Sequence, residues 1–346
     1  MMSLRDEIFE QPAVLKRLLK EQLPKVHDIT QSLRQQDIDY IFLAARGSSD
    51  NAGLYAKYLW GAANRLPVAL AAPSLFSIYK RPPELKNALT VGISQSGQSP
   101  DIVGVLKTAA DQGHPTLALT NDPNSPMAQA ADFVLDINAG IEEAVAATKT
   151  YTAQLLAIAM LSVGLSGSES DLEALRKVPA LVEQTLALDP LIAEEAERYR
   201  YMDQCVVLGR GFNYATAFEW ALKLKELAYI VAQPYSSADF RHGPVAMVYQ
   251  GFPVLAVVPS GAVYKDVFKL ISNLKKEKKT ELLVISDNEE ALSLAHTPLR
   301  LPDDIPEWLS PIVTIVAAQL FCYHLTRAKG FDTEAPRGLK KVTLTK

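Results

Sequence analysis

Glu219, Lys223 and Glu226 fall at i, i+4 and i+7 in the run Phe218 to Tyr229, whose composition predicts a helix, so the three side chains share one helical face. Two carboxylates and an amine fixed together are candidates for acid–base catalysis. The same spacing also describes a solvated ladder of salt bridges, and spacing alone does not separate the two. Shortly after, Arg241-His242-Gly243-Pro244 puts an imidazole in a loop, because Gly-Pro enforces a turn. A loop histidine suits a ligand or catalytic role, with a structural role as the other reading. His27, His114, His296 and His324 show no metal-ligand spacing and read as structural or surface residues, and no metal or cofactor is expected.

A second kind of chemistry is suggested by Ser94-Gln95-Ser96-Gly97-Gln98-Ser99-Pro100, which follows an apolar strand and opens a helix running to about Gln112. Pro100 suits the first helical position and Ser99 the N-cap. Unpaired N–H groups at a helix start, hydroxyls, and a glycine that admits the backbone closely make an anion site. Ser48 and Ser49 occupy the preceding strand-end loop and can face it. A polar turn with an N-cap is the alternative, weakened by there being two hydroxyl-bearing loops side by side. No Gly-Lys-Ser/Thr follows, so this is not a Walker loop. Gly209-Arg210-Gly211-Phe212-Asn213-Tyr214 starts like a dinucleotide fingerprint, but Tyr214 stands where the third glycine belongs.

These segments sit in a sequence that repeats itself. Apolar runs ending in Arg-Gly, Tyr40 to Gly47 and Cys205 to Gly211, place Gly47 and Gly211 164 positions apart. Leu89 to Ile93 leads to Ser96-Gly97, Phe252 to Val258 leads to Ser260-Gly261, and Gly97 and Gly261 are again 164 apart. A third pair, Thr116 to Asp122 and Glu281 to Asp287, follows with a small slip. Each repeat reads strand, helix, strand, helix, strand. Continuous apolar strands alternating with helices predict an α/β fold of two tandem flavodoxin-like domains, each a parallel sheet with helices on both faces. The chemistry-bearing loops then lie at strand carboxyl ends, where such sheets bind ligands. The expected division is a helical lead-in over 1–24, a phosphate-binding domain over 25–195, a second domain with the Glu226 helix and His242 loop over 196–330, and a tail over 331–346. The second repeat keeps only Ser260 of the serine turn, so its pocket is expected to have lost phosphate binding.

Composition narrows the function classes. A net charge of −4 gives no footprint for nucleic acid or an anionic membrane. Two cysteines, Cys205 and Cys322, lie far apart in apolar surroundings, against a disulfide framework and in keeping with a reducing, cytoplasmic setting. The segment Met1 to Glu10 is too charged for a signal peptide. Ile312 to Leu325, broken by Thr314, Gln319 and His324, reads as a buried core helix rather than a membrane span. In the tail Glu334 to Thr343, Leu339 and Val342 flank Lys340 and Lys341 as if the segment docks; a frayed basic terminus is the other reading.

Taken in order, Glu7-Ile8-Phe9-Glu10-Gln11-Pro12, Ser94-Gln95-Ser96-Gly97, Asn138-Ala139-Gly140 with Ala146-Ala147-Thr148-Lys149, Ala221 to Glu226, Arg241 to Pro244 and Pro336 to Leu339 resemble the isomerase half of glucosamine-6-phosphate synthase, a tandem sugar-isomerase (SIS) domain family. The resemblance covers essentially the whole chain. It implies sugar-phosphate binding by Ser48, Ser49, Ser94, Gln95, Ser96 and Ser99, and a pocket-lining place for Val145. It implies that Glu226 moves a proton between C1 and C2 with Lys223 assisting, that His242 opens the sugar ring from the neighbouring subunit of a homodimer, and that Lys341 forms a Schiff base with the ketose. Arg46 stands where the synthase has Cys, Ser48 where it has Thr, and Ala147 where it has Ser. The chain begins Met1-Met2-Ser3, without the cysteine nucleophile of the synthase's glutaminase domain, so glutamine is not expected as its ammonia source unless a separate subunit supplies it. The expected activity is glucosamine-6-phosphate deamination and isomerisation, or its reverse with free ammonia. The alternatives are a fructosamine-6-phosphate deglycase and a non-catalytic sugar-phosphate sensor.

Overall fold

The structure is a computed structural model and describes residues 3–341, so the docking expected of Val342 lies outside the described residues. The chain divides into two compact units. The first comprises Ala13–Glu142 and Lys149–Lys177 and takes up the tail again from Lys340; the second comprises the residues up to Pro12, Glu143–Thr148 and Val178–Leu339.

The first unit holds β1 (Tyr40–Ala44), β2 (Val68–Leu70), β3 (Ala88–Ser94), β4 (Thr116–Thr120) and β5 (Phe133–Asp136). They form one sheet in the order β2-β1-β3-β4-β5, every pairing parallel. β3, at the centre, is buried along its whole length, in keeping with its mostly apolar sequence. A core of Phe42, Ala44, Phe76, Ile102, Leu106 and Met127 packs the helix Pro100–Asp111 to the sheet. The helices Ser48–Asn64 and Lys149–Ser166 pack on each other, with the buried Trp60 indole donating to the Ile158 carbonyl at 3.2 Å.

The second unit repeats the plan with β6 (Gln204–Gly209), β7 (Val231–Ser236), β8 (Pro253–Val257), β9 (Glu281–Ser286) and β10 (Thr297–Arg300), in the order β10-β9-β8-β6-β7, all parallel. Numbered within the unit, both sheets have the flavodoxin-like order 2-1-3-4-5. The helix Ser310–Ala328 is longer than the apolar run in the sequence suggests, and by length and composition it could cross a membrane. Its side chains are instead spent inside the unit, against the helices Tyr214–Leu227, Asp189–Ala196 and Leu4–Phe9, with Trp220 and Tyr199 edge-on to Phe321.

Three strands were expected per repeat and five are found. The extra ones lie at sheet edges and are short or interrupted: β2 has three residues, two of them exposed, and β7 contains Pro234, which an edge strand tolerates. The helix expected to reach Tyr229 stops at Leu227, and Tyr229 adopts a left-handed φ of 57°.

Candidate functional site

Within the first unit the serine turn joins the carboxyl end of β3 to the helix Pro100–Asp111. Gly97 has φ +61°, and a Cβ built there would stand 2.1 Å from Ser125 Oγ and 2.5 Å from Ser125 Cβ. The turn therefore needs glycine for both conformation and space. The Gly97 N–H donates to Ser94 Oγ at 3.1 Å and the Gln98 N–H to Ser96 Oγ at 3.3 Å, so neutral hydroxyls shape the loop. Ser99 holds the N-cap position in extended conformation but makes no side-chain cap bond, which corrects the capping role expected of it. Ser48 is the first residue of the helix Ser48–Asn64, and the buried Ser49 Oγ accepts from Gln154 Nε2 at 3.0 Å. Arg46 ties the loop after β1 to the helix after β3, pairing with the wholly buried Asp101 at 2.9 Å. Gly97→Ala should cost about 1–3 kcal/mol through overpacking and add left-handed strain of about 1–2 kcal/mol. A urea midpoint lower than wild type checks this, and an unchanged midpoint contradicts it.

Beside the turn, Asn138-Ala139-Gly140 is held from several sides. Asn121 Oδ1 accepts from the Ala139 N–H at 2.8 Å, its Nδ2 donates to the Gly140 carbonyl at 2.7 Å, and Arg17 donates to the Asn138 carbonyl at 2.8 Å. Gln95, Asn121, Asp136, Asn138 and Glu142 line a cavity of about 410 Å³ at the carboxyl ends of the strands. Burial pushes the Asp136 carboxyl above the usual carboxylate range, against a hydrogen bond from the Asn138 N–H. Lys341 donates from Nζ to Glu142 Oε2 at 2.6 Å, and the same carboxylate accepts from the Thr150 N–H and hydroxyl. The turn and the tail lysine's partner thus open on one cavity. Sequence reading missed Glu142 and Asn121. Asn121 had a signal, since it closes the third repeated strand.

In the second unit, Glu219, Lys223 and Glu226 do share a face of the helix Tyr214–Leu227, but not as a solvated ladder. Glu219 and Lys223 are buried, with side chains 0% and 2% exposed, while Glu226 is 24% exposed at the outer end. Lys223 Nζ lies 3.3 Å from Glu219 Oε1 and 2.6 Å from Glu226 Oε2. Burial alone would lower the Lys223 ammonium, but the two carboxylates outweigh it and hold it above its ordinary value. The outer carboxylate is thus presented by an ammonium seated on an inner one.

His242 caps the carboxyl end of the helix Ser237–Arg241 and is exposed, with Gly243 at φ +133° after it. Val145 is half-buried in the segment Glu143–Thr148. That segment is held by the buried Glu7 carboxylate, which accepts from the Glu143 and Ala144 N–H groups, and by Gln319 donating to the Thr148 carbonyl. The approach to the tail is anchored by Arg337: its guanidinium lies 3.7 Å from the Tyr229 ring centroid and its N–H donates to Tyr229 Oη. Leu339 is 43% exposed, so the apolar docking expected of it is replaced by a cation–π contact.

The second repeat's counterpart of the serine turn explains its lost hydroxyls. Glu307, leading into the helix Ser310–Ala328, accepts from the Ala262 N–H at 2.8 Å and the Val263 N–H at 3.3 Å, and its carboxyl carbon fills the space a Cβ on Gly261 would take. Asp287 Oδ1 accepts from the Ser260 N–H at 2.7 Å. Where the first turn uses serine hydroxyls, the second is filled by two of its own carboxylates, and a phosphate entering there meets like charge. Glu307→Ala should cost about 0.5–1.5 kcal/mol for each hydrogen bond lost; a denaturant titration with no loss would count against Glu307 holding the turn.

Two parallel sheets of one order, the first with a serine turn at the carboxyl end of β3 and the second with that turn filled by Glu307 and Asp287, define a duplicated α/β protein. The SIS domain profile matches residues 33–164 and 200–327, and the chain belongs to the SIS-domain family, with two copies in tandem. It is 34% identical over 97% of its length to the isomerizing glutamine–fructose-6-phosphate aminotransferase of Thermus thermophilus, and it spans 57% of that protein. The solved C-terminal domain of glucosamine-fructose-6-phosphate aminotransferase from Francisella tularensis matches 96% of this chain and 98% of its own, with a TM-score of 0.87 and 28% identity. A glucosamine-6-phosphate deaminase from Thermotoga maritima shares the fold, with a TM-score of 0.80 at 21% identity, over 99% of each chain.

Proposed function

We propose that the chain is a sugar-phosphate aldose–ketose isomerase that acts as a deaminase, converting glucosamine 6-phosphate and water to fructose 6-phosphate and ammonia, or running in reverse with free ammonia. The observation that carries this reading is the cavity of the first unit, on which Gln95 of the serine turn and Glu142, the partner of Lys341, both open. A phosphate seated by Ser94, Gln95, Ser96 and Ser99, with Ser48 and Ser49 beside it, leaves its sugar within the same cavity as the amine's partner.

The chemistry then follows from the residue types. His242 carries a proton from the anomeric hydroxyl to the ring oxygen, opening the ring. Its exposure suits a residue that completes the site of a second subunit, and a homodimer is part of the proposal. Glu226 removes the proton from C2 and returns it to C1, turning the amino-aldose into a ketose imine, with Lys223 fixing the carboxylate. The Lys341 amine adds at C2 as ammonia leaves, and water then releases fructose 6-phosphate and restores the lysine. The proton Lys341 must give up before attack has an acceptor in Glu142 at 2.6 Å. Ammonia is the proposed nitrogen partner of these two domains; Cys205 and Cys322 are buried, with thiols pushed up by burial, and neither is suited to hydrolyse an amide. Buried free thiols also fit a cytoplasmic setting.

Incubation of the protein with glucosamine 6-phosphate is expected to yield ammonia and fructose 6-phosphate in equal amounts. Ammonium is expected to support the reverse reaction where glutamine does not. Release of an amino acid from a fructosamine 6-phosphate, without ammonia from glucosamine 6-phosphate, would instead favour a deglycase. Silence on all of these substrates across a pH series would leave a sugar-phosphate sensor.

A further inference from the structure

The two units share a strap. In each, an arginine just past the first sheet strand pairs with an aspartate in the first turn of the helix after the third: Arg46 with Asp101 at 2.9 Å, and Arg210 with Asp266 at 2.5 Å. In the second unit the aspartate does more. Ser237 Oγ donates to Asp266 Oδ2 at 2.5 Å, Arg241 Nη1 donates to Oδ1 at 2.7 Å, and Arg241 Nη2 donates to the Asp266 carbonyl at 2.7 Å. Ser237 and Arg241 are the first and last residues of the five-residue helix whose C-cap is His242. Both ends of that helix are therefore fastened to one residue. A helix this short does not hold itself. Phe240, buried in the core against Tyr235, sets its depth, and the Ser236–Asp239 cap closes its start. Phe240 also fixes which face of the helix is inward, and the Arg241 contacts to Asp266 add a hold at the residue directly before His242.

We propose that Asp266 is a positioning residue for His242, holding the imidazole in the orientation that ring opening requires. The proposal rests on the reading that His242 opens the sugar ring. It assigns Asp266 no contact with substrate; the residue acts through Arg241 and Ser237.

Fructose 6-phosphate closes its ring through the C5 hydroxyl, so 5-deoxyfructose 6-phosphate stays open and needs no ring-opening group. Amination of both ketoses with ammonium is compared for wild type, Asp266→Asn, Arg241→Lys and His242→Asn. Asp266→Asn is expected to lower kcat on fructose 6-phosphate by about 10- to 100-fold, the usual effect of displacing a catalytic group by about an ångström, with KM little changed and kcat on the open analogue kept within about threefold. Arg241→Lys, which keeps the charge but gives up the two-point contact, is expected to show the same selectivity more weakly, and it reads the tie should Asp266→Asn fold poorly. Equal losses on both ketoses, or none on either, in both tie variants would overturn the proposal. If His242→Asn is selective for the cyclic ketose and the tie variants are not, only the role of Asp266 falls. If His242→Asn itself lacks that selectivity, the ring-opening reading fails first.

Discussion

Glu226→Gln is expected to give a folded protein that has lost ammonia release from glucosamine 6-phosphate by about 10²- to 10⁴-fold, the usual worth of a general base. The amide has the size of the carboxylate and can still accept from Lys223 Nζ, which lies 2.6 Å away in the wild type. Lys223 also keeps Glu219 at 3.3 Å, so the buried charge stays balanced. Glu226 is at the outer end of the group, so little packing changes. What is lost is an oxygen able to take a proton from C2. Circular dichroism and unfolding midpoint should match wild type while kcat collapses and KM moves little. Retention of activity within tenfold would mean that the base is another residue.

Lys223→Met is expected to act on the fold itself. It removes the ammonium from beside Glu219, a carboxylate with no exposed side-chain surface. Breaking a buried ion pair from one side typically costs about 3–5 kcal/mol, and we expect a loss of that size in urea unfolding at pH 7. The pH dependence separates this from a packing defect. In the wild type the Lys223 ammonium is held above its ordinary value of 10.5, so its contribution is whole below about that pH and fades only as pH rises through the higher folded value. From pH 6 to 9 wild-type stability should not move on account of this lysine. In the variant, protonation of the buried Glu219 removes its uncompensated charge, so the variant should regain stability relative to wild type as the solution is acidified. A variant with a pH-independent deficit would show that methionine merely fits badly.

The parts of this architecture that could be read in advance are those where physics acts on neighbours in sequence. β3 and β4 are buried from end to end and mostly apolar because both faces of a parallel sheet are covered, and the 164-residue register of Gly97 and Gly261 marks the loops that follow central strands. β2 and β10 gave no such signal, being short and partly exposed. The face of Glu219, Lys223 and Glu226 was legible in spacing; that it points into the unit was not, because burial depends on the helix Ser310–Ala328 packing against it from far along the chain. The pairing of Lys341 with Glu142 spans 199 positions and involves two ordinary charged residues, so no local pattern announces it. The same holds for Glu307, 44 positions from the Val263 N–H that it accepts.

Glu307 has a wider consequence. A loop that waits for a ligand pays part of the ligand's binding energy to become ordered. With its own carboxylates seated in the second turn, that half of the chain stands organised before any sugar arrives, and its helix starts are fixed by covalent tether rather than by occupancy. In the proposed function, the first copy is the one left to respond to a guest, while the second has its turn filled from within the chain, a division between receptor and frame made from a single inherited design.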